Sequence, residues 1–181
     1  MRIIGGNNKG KKLKTFEGYD IRPTSDRAKE SLFNILSTKI LGCDFLDLCC
    51  GTGSVGLESY SRGCKIVTFV DVNKKSLSLT KENAKSIGCE GNFYLSTAED
   101  FVKRRDKSFD IIFFDPPYAF DGIDKILASV KENNLLNKEG IFVYERSRDK
   151  QSVIVDGFDL YQSRKYGLAV FDFYREKKEN L

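Results

Sequence analysis

The sequence predicts an α/β fold built on a mainly parallel, doubly wound sheet. Short apolar segments alternate with helical segments from about residue 44 to residue 145, and two strand-like segments with no helix between them then follow. The short segments are almost continuously apolar, as strands covered on both faces of a parallel sheet are. The composition agrees, since 40% of the 181 residues are hydrophobic and 31% are charged, which is ordinary for a globular protein.

The first 15 residues combine a hairpin pattern with a strong positive charge. Arg2–Ile4 and Leu13–Phe16 flank a turn-rich stretch, GGNNKGK. The segment has no acidic residue, and its basic residues are Arg2, Lys9, Lys11, Lys12 and Lys14. Because the whole chain has a net charge of only +4, this local excess suits a phosphate-rich partner, with a solvated run of charge as an equal alternative.

A helix is predicted after this basic arm. Pro23 disfavours helical backbone at Arg22, and Thr24 or Ser25 can cap the helix that follows. Apolar residues then recur at helical spacing until Gly42, where the helix is expected to end.

The alternating part of the chain is predicted to contain five strands and four helices. The strands are FLDLC (45–49), IVTFVD (66–71), FYLST (93–97), DIIFFD (110–115) and IFVYE (141–145). The helices are Ser54–Arg62, Lys74–Ile87, Glu99–Arg104 and Ile123–Leu136. Residues 160–167 and 168–176 are predicted to form an antiparallel hairpin at the end of the sheet. We expect a single domain, with residues 1–42 as an appendage to a core over residues 43–181.

Histidine and cysteine usage excludes several kinds of site. The chain has no histidine, which excludes serine–histidine and cysteine–histidine chemistry and histidine-based metal sites. Its five cysteines show no CxxC spacing, so we expect no metal and no disulfide framework, and a reducing cytoplasm as the location. Neither a secretory signal nor a membrane-spanning segment is expected.

A glycine-rich turn follows the first predicted strand. Gly51, Gly53 and Gly56 spell G-x-G-x-x-G between a strand and a helix, which is the context of a nucleotide-binding turn. Asp71 ends the next strand 20 residues after Gly51, where an acidic residue binds ribose hydroxyls in such sites. These residues predict a ribose-bearing cofactor, and the alternative is a glycine turn needed only for tight packing.

Asp47, inside the first strand, indicates which cofactor is bound. A carboxylate at this point would repel a pyrophosphate and attract a cation. The arrangement D-L-x-x-G-T-G therefore favours S-adenosylmethionine, which has a ribose and an ammonium group but no phosphate, over the dinucleotide of an oxidoreductase. The alternative role of Asp47 is a strand-end cap. The arrangement resembles motif I of class I methyltransferases, and the resemblance implies their Rossmann-like, seven-stranded sheet with an antiparallel last strand.

The fourth predicted strand runs directly into Asp115-Pro116-Pro117-Tyr118. The two prolines end the strand and fix the backbone. We expect Asp115 and the carbonyl of Pro116 to accept the two hydrogens of an exocyclic amine, and Tyr118 to stack on its base. Positioning and electrostatics would then support methyl transfer to that amine. The alternative is a proline-rich turn followed by an ordinary tyrosine.

Together these motifs resemble the RsmD family, whose members methylate N2 of guanine 966 in 16S ribosomal RNA. The resemblance covers nearly the whole chain through MRIIGGNNKGKKL, IRPTSDRAKESLFNIL, LDLCCGTGSVGLESYSRG, FFDPPY and the C-terminal FYRE, in that order. It implies S-adenosylmethionine as the cofactor and 16S rRNA as the substrate, in the small ribosomal subunit or its precursor. The alternative class is a DNA adenine-N6 or cytosine-N4 methyltransferase, which shares D-P-P-Y. We expect a monomer.

The resemblance also assigns residues to three roles. The cofactor would be bound by Asp47, Gly51, Thr52, Gly53, Asp71, Val72, Ala98 and Glu99. The guanine amine would be held by Asp115, Pro116, Pro117 and Tyr118. RNA would be contacted by Arg2, Lys9, Lys11, Lys12, Lys14, Arg22 and Thr24. The alternatives for the last two are contact with the cofactor's carboxylate and a plain helix-start role. Glu145, which ends the fifth strand, either lines the cleft or is a solvated strand end, and we expect the second.

Overall fold

A computed structural model describes residues 1–16, 25–104 and 107–178. The strands are β1 (Asp44–Leu48), β2 (Ile66–Asp71), β3 (Asn92–Leu95), β4 (Phe109–Phe114), β5 (Leu136–Ser147), β6 (Phe158–Tyr166) and β7 (Ala169–Glu176). The helices are α1 (Asp26–Ile35), α2 (Ser54–Ser61), α3 (Lys74–Ser86), α4 (Ala98–Phe101) and α5 (Ile123–Glu132). Within the described ranges, every helix is too short or too polar to cross a bilayer.

The strands form one sheet in the order β3-β2-β1-β4-β5-β7-β6. The first five strands in the chain pair in parallel, whereas β7 is antiparallel to both β5 and β6. The predicted α/β fold, with a mainly parallel sheet and an antiparallel end, is therefore confirmed.

Apolar side chains cover both faces of the sheet, which explains why its central strands are almost continuously apolar. Phe45 and Phe113 belong to a core shared with α1, α2 and α3, on what we call the α1 face. Their neighbours Leu46 and Phe114 belong to a second core shared with α4 and α5, on the α5 face. Alternate residues of each strand therefore reach opposite faces.

The connection between α5 and β5 differs from the prediction. The helix was expected to reach Leu136, but α5 ends at Glu132 and Leu136 begins β5, where it pairs with Phe109. Asn134 adopts a left-handed φ of 52°, which an α-helix does not continue through. The prediction was wrong because Leu135 and Leu136 fit helical spacing although they are buried in the core of the α5 face, beyond the end of the helix.

The start of α1 agrees with the prediction, whereas its end does not. Ser25 caps the helix, and its hydroxyl accepts from the N–H of Ala28 at 3.2 Å. The helix ends at Ile35 instead of reaching Gly42. Ile40 stays buried although it lies beyond the helix, so its apolar character reflects the core and not a helical face.

The N-terminal arm, which we define as residues 1–16, folds back on itself as expected but with little strand. Arg2 and Lys12 form an isolated antiparallel bridge, and the N–H of Ile3 donates to the carbonyl of Lys11 at 2.9 Å. Ile3 and Leu13 are buried in the core of the α1 face. The arm is therefore anchored by apolar residues between its exposed cations.

A buried ion pair fastens the arm to α1 and α2. The carboxylate of Glu58 accepts from the N–H of Ile4 at 2.9 Å and from the N–H of Gly5 at 2.8 Å. The Nζ of Lys29 lies 3.7 Å from the same carboxylate and donates to the carbonyl of Arg2 at 2.7 Å. Both charged side chains are fully buried, and burial lowers the pKa of Lys29 although the charge of Glu58 opposes this.

Two glycines of the arm provide a matched test of its packing. Gly6 and Gly10 have φ values of 74° and 87°, so alanine strains both backbones in the same way. A Cβ on Gly6 would collide with the carbonyl of Ser61, whereas one on Gly10 would meet no atom within 4 Å. In urea denaturation, we expect Gly6→Ala to lower the free energy of unfolding by about 1–3 kcal/mol more than Gly10→Ala. Equal effects would show that the arm does not pack on α2 in this way.

Candidate functional site

The carboxyl ends of the parallel strands surround a cavity of about 770 Å³. Small molecules bind at this edge of open α/β sheets, and the volume lies within the range of roughly 300–1,000 Å³ typical of such sites. The predicted cofactor residues that line it are Asp47, Gly51, Thr52, Asp71, Val72, Ala98 and Glu99. The predicted amine-binding residues that line it are Asp115, Pro116, Pro117 and Tyr118. The segments after β1 and β4 therefore share one cavity.

The turn after β1 leaves open space in front of Gly51. Cys49, Gly51 and Gly53 have positive φ values of 68°, 56° and 76°. A Cβ on Gly51 would meet no atom within 4 Å, whereas one on Gly53 would press against the side chain of Thr80. Thr80 also donates its hydroxyl to the carbonyl of Gly51 at 2.9 Å. Since α3 supports the turn from behind, the front of the turn can allow close approach of a ligand to the backbone.

Asp47 is a buried carboxylate at the wall of the cavity, 2% exposed. Its Oδ2 accepts from the N–H of Gly56 at 2.8 Å. A Cβ on Gly56 would press against Asp47 and Phe69, so only glycine fits between them. Burial raises the pKa of Asp47 to about 7, the charge of Asp71 adds to this, and the N–H of Gly56 opposes it. A cationic partner would favour the ionised form of this side chain.

Asp71, at the end of β2, supports the same turn. One of its oxygens accepts from the N–H of Gly51 at 2.8 Å, and the other accepts from the N–H of Asn73 at 2.7 Å. Asn73 in turn caps α3, because its side chain accepts from the N–H of Lys75 at 2.9 Å. Next to Asp71, Val72 lines the cavity and is 69% exposed. The predicted ribose-binding acid therefore also fixes the glycine turn.

The short helix α4 begins at the wall of the cavity. Thr97 caps it by accepting from the N–H of Asp100 at 3.1 Å. The helix consequently begins at Ala98, one residue before its predicted start, and ends at Phe101, earlier than predicted. Ala98 and Glu99 lie in its first turn.

Asp115 follows β4 and remains hydrogen-bonded to the sheet. Its N–H donates to the carbonyl of Leu48 at 3.3 Å, which extends the pairing of β4 with β1 by one residue. Burial raises the pKa of Asp115 well above its usual range, and the charges of Glu145 and Asp47 raise it further, in that order. Asp115 therefore holds a proton more tightly than an exposed aspartate.

The loop after Asp115 is closed by backbone and aromatic contacts. The N–H of Phe120 donates to the carbonyl of Pro117 at 2.7 Å. Phe120 packs edge-on against Phe114, with ring centroids 5.3 Å apart. These contacts keep Pro116 at the cavity wall and leave Tyr118 at its rim, 43% exposed.

The N-terminal arm reaches the cavity through Met1, Thr15 and Phe16. The hydroxyl of Thr52 donates to the sulfur of Met1 at 3.6 Å. The cations predicted to contact RNA are exposed along the arm: Arg2, Lys9, Lys11, Lys12 and Lys14. The other two predicted RNA contacts, Arg22 and Thr24, lie outside the described residues.

Two polar residues of the cavity wall were not predicted. Ser54 is 7% exposed, and its hydroxyl has no hydrogen-bond partner within the described ranges. Glu145 was expected to be a solvated strand end, and this expectation is wrong, because it is 5% exposed and lines the cavity. The sequence shows an acidic residue at the end of IFVYE, which was the available signal for a cavity residue. The sequence of this segment does not show that β5 pairs with β4, and this pairing decides where Glu145 lies.

Fold and site together define a class I methyltransferase. The family model described as "Conserved hypothetical protein 95" matches residues 1–175. "Ribosomal RNA small subunit methyltransferase D" of Haemophilus influenzae is 31% identical over 97% of this chain and 93% of its own. "Putative rRNA methyltransferase YlbH" of Bacillus subtilis is 34% identical, over 98% of this chain and 100% of its own.

A solved structure agrees with these sequence matches. "Putative methyltransferase yhhF from Escherichia coli" has a TM-score of 0.88 and 25% identity, and the match covers 99% of both chains. The chain belongs to the family that these comparisons define, and the predicted resemblance to the RsmD family is confirmed.

The raised pKa of Asp47 predicts how stability depends on pH. An unfolded aspartate has a pKa of about 3.9, so between about pH 4 and pH 7 the folded protein binds more protons than the unfolded chain. The free energy of unfolding should therefore fall as the pH rises through this window. Asparagine does not titrate, so Asp47→Asn should not show this fall. The free energy of unfolding of the variant minus that of the wild type should therefore be higher at pH 8 than at pH 5, by on the order of 2 kcal/mol.

Urea denaturation of the ligand-free protein at the two pH values measures this difference. Asp124→Asn, at an exposed position of α5, is the control and should leave the pH dependence unchanged. A pH dependence that is the same in Asp47→Asn and in the wild type would contradict the raised pKa.

Proposed function

We propose that the protein transfers a methyl group from S-adenosylmethionine to the exocyclic N2 of a guanine in 16S rRNA, guanine 966 by family resemblance. The observation that carries the proposal is the shared cavity: Asp115-Pro116-Pro117-Tyr118 and the glycine turn after β1 line the same space. The names of the relatives, which describe small-subunit rRNA methyltransferases, support rRNA as the substrate.

The residues of the cavity fit S-adenosylmethionine. The open space in front of Gly51 admits a ligand close to the backbone. The buried carboxylate of Asp47 suits the cofactor's ammonium group, and Asp71 lies where ribose hydroxyls are bound in related turns. Ala98 and Glu99 are proposed to hold the adenine. When bound, the cofactor supplies an electrophilic methyl group.

The segment after β4 would hold and orient the guanine. An aromatic amine is a weak nucleophile because its lone pair is conjugated with the ring. Asp115 and the carbonyl of Pro116 would accept the two hydrogens of the amine, which would direct its lone pair away from the ring. Tyr118 would stack on the base. Asp115 would then receive the proton that leaves N2, a role that suits its raised pKa.

The arm is proposed to bind the RNA backbone beside the cavity. Its exposed lysines can neutralise phosphates, and Met1 and Phe16 bring the arm to the cavity wall. Because Watson–Crick pairing occupies one of the two N2 hydrogens that Asp115 and Pro116 would accept, the target must be unpaired or turned out of its stack. Four further points stay predictions. They are that the protein is a single domain, that it is a monomer, that it acts in the cytoplasm, and that its substrate is the small subunit or its precursor.

Removal of the Asp115 carboxylate should abolish the reaction selectively. We expect Asp115→Ala to lower methyl transfer by roughly 100-fold or more, because the amine would lose a charged acceptor, while cofactor affinity stays largely intact. Transfer of tritiated methyl groups to 16S rRNA and to small subunits measures the first effect, and calorimetry with S-adenosylmethionine measures the second. Asp124→Ala is the matched control. Full activity of Asp115→Ala would rule out the proposed mechanism.

The arm can be tested through the salt dependence of RNA binding. Replacement of Lys9, Lys11 and Lys12 by glutamine should weaken binding and reduce the slope of log K against log salt by about 0.7–0.9 for each phosphate that the arm no longer neutralises. The control carries the same reduction of positive charge outside the arm, on the exposed residues Lys125, Lys138 and Lys177. Equal slopes for the two triple variants would count against the arm as an RNA-binding surface.

A further inference from the structure

Glu145 is a buried carboxylate next to Asp115 that the proposed reaction leaves without a role. β4 and β5 pair in parallel with Phe114 opposite Tyr144, so Asp115 and Glu145 are the next residues along the two strands. Both continue the side-chain alternation of the α1 face, and both line the cavity. Because neighbouring strands lie about 4.8 Å apart, the two carboxyl groups are neighbours at the edge of the sheet.

Glu145 is enclosed by the core at the wall of the cavity. It is 5% exposed and lies opposite Phe171 of β7, which is fully buried. After burial, which is the main cause, the charge of Glu145 contributes most to the raised pKa of Asp115, ahead of that of Asp47. A ligand that brings several N–H donors to two neighbouring carboxyl groups favours their ionised forms.

Asp47 is the other acidic side chain that acts on Asp115, and its position differs. It lies opposite Phe113, earlier along the strands than Asp115, and the N–H of Gly56 already binds its carboxylate. Glu145 is thus the better placed of the two to act on the same group of the substrate as Asp115.

We propose that Glu145 accepts the N1–H of the target guanine while Asp115 accepts from its N2 amine. This inference rests on the proposed function and deepens it. Guanine presents N1–H and N2–H as adjacent donors, whereas adenine and cytosine present their amine beside a ring nitrogen that is an acceptor. Two adjacent carboxylates bind the first pattern and repel the second. Glu145 is therefore a specificity-determining residue that selects guanine.

The comparison of guanine with 2-aminopurine tests this role directly. 2-Aminopurine keeps the amine at position 2 but has an acceptor at N1. In an RNA or reconstituted subunit that the wild type methylates, the target nucleotide is guanine or 2-aminopurine, and kcat/KM is measured for both. We expect Glu145→Gln to reduce the guanine to 2-aminopurine ratio by about 10-fold or more, since the amide can donate to N1.

Glu176→Gln is the matched control, because Glu176 lies at the opposite end of β7, away from the cavity. It should keep the wild-type ratio. A merely structural role for Glu145 would lower both kcat/KM values together, and an unchanged ratio in Glu145→Gln would overturn the inference while the proposed function survives.

Two further measurements use only the wild type, so their outcome does not depend on whether a variant folds. If the wild type methylates 2-aminopurine as efficiently as guanine, N1–H is not recognised and the inference is wrong. If it transfers no methyl group to guanine in 16S rRNA or in small subunits, the proposed function itself fails, and the inference with it. A clear preference of the wild type for guanine supports the recognition of N1–H when Glu145→Gln reduces that preference.

Discussion

The parallel pairing of β1 with β4 is the constraint on which the site depends. Leu48 pairs with Phe114, so the glycine turn and the Asp-Pro-Pro-Tyr segment leave the sheet at the same level. Asp115 continues this ladder with its N–H to the carbonyl of Leu48. A slip of one residue would carry Asp47 or Asp115 to the opposite face of the sheet. The aromatic and aliphatic cores on both faces prevent such a slip, and in this way packing fixes the geometry of the cavity.

The cavity and the arm carry opposite charges, and in the proposed function they recognise different parts of the RNA. Asp47, Asp115 and Glu145 make the cavity wall acidic, so phosphates are repelled from it, whereas ammonium groups and N–H donors are attracted. The exposed lysines of the arm attract the phosphates and not the base. Under the proposed function, RNA would bind on the arm while an extruded base enters the cavity. This separation follows from charge alone and does not depend on the identity of the nucleotide.

Sequence patterns predicted the sheet, its antiparallel end and the residues after β1 and β4, because glycines, prolines and strand ends are local signals. They failed where tertiary packing decides. Ile40 is apolar and fits helical spacing, yet it lies beyond α1. Leu136 continues the pattern of α5 but begins β5. Glu145 ends an apparently ordinary strand, and only the position of β5 beside β4 brings it to the cavity. Ser54 gave no signal, because its burial depends on how α2 packs.

The helix α2 joins the two halves of the proposed site. Near its start, the N–H of Gly56 binds Asp47 at the end of the cavity where the cofactor is proposed to lie. Two residues later, Glu58 binds the backbone of the arm and, together with Lys29, forms the buried ion pair that fixes it. Removal of one partner of a buried ion pair leaves the other charge buried and uncompensated, which strongly destabilises the fold, so the contacts of Glu58 and Lys29 with the arm anchor it. The backbone of a helix is stiff over this distance, and the position of the basic arm is consequently tied to that of the glycine turn.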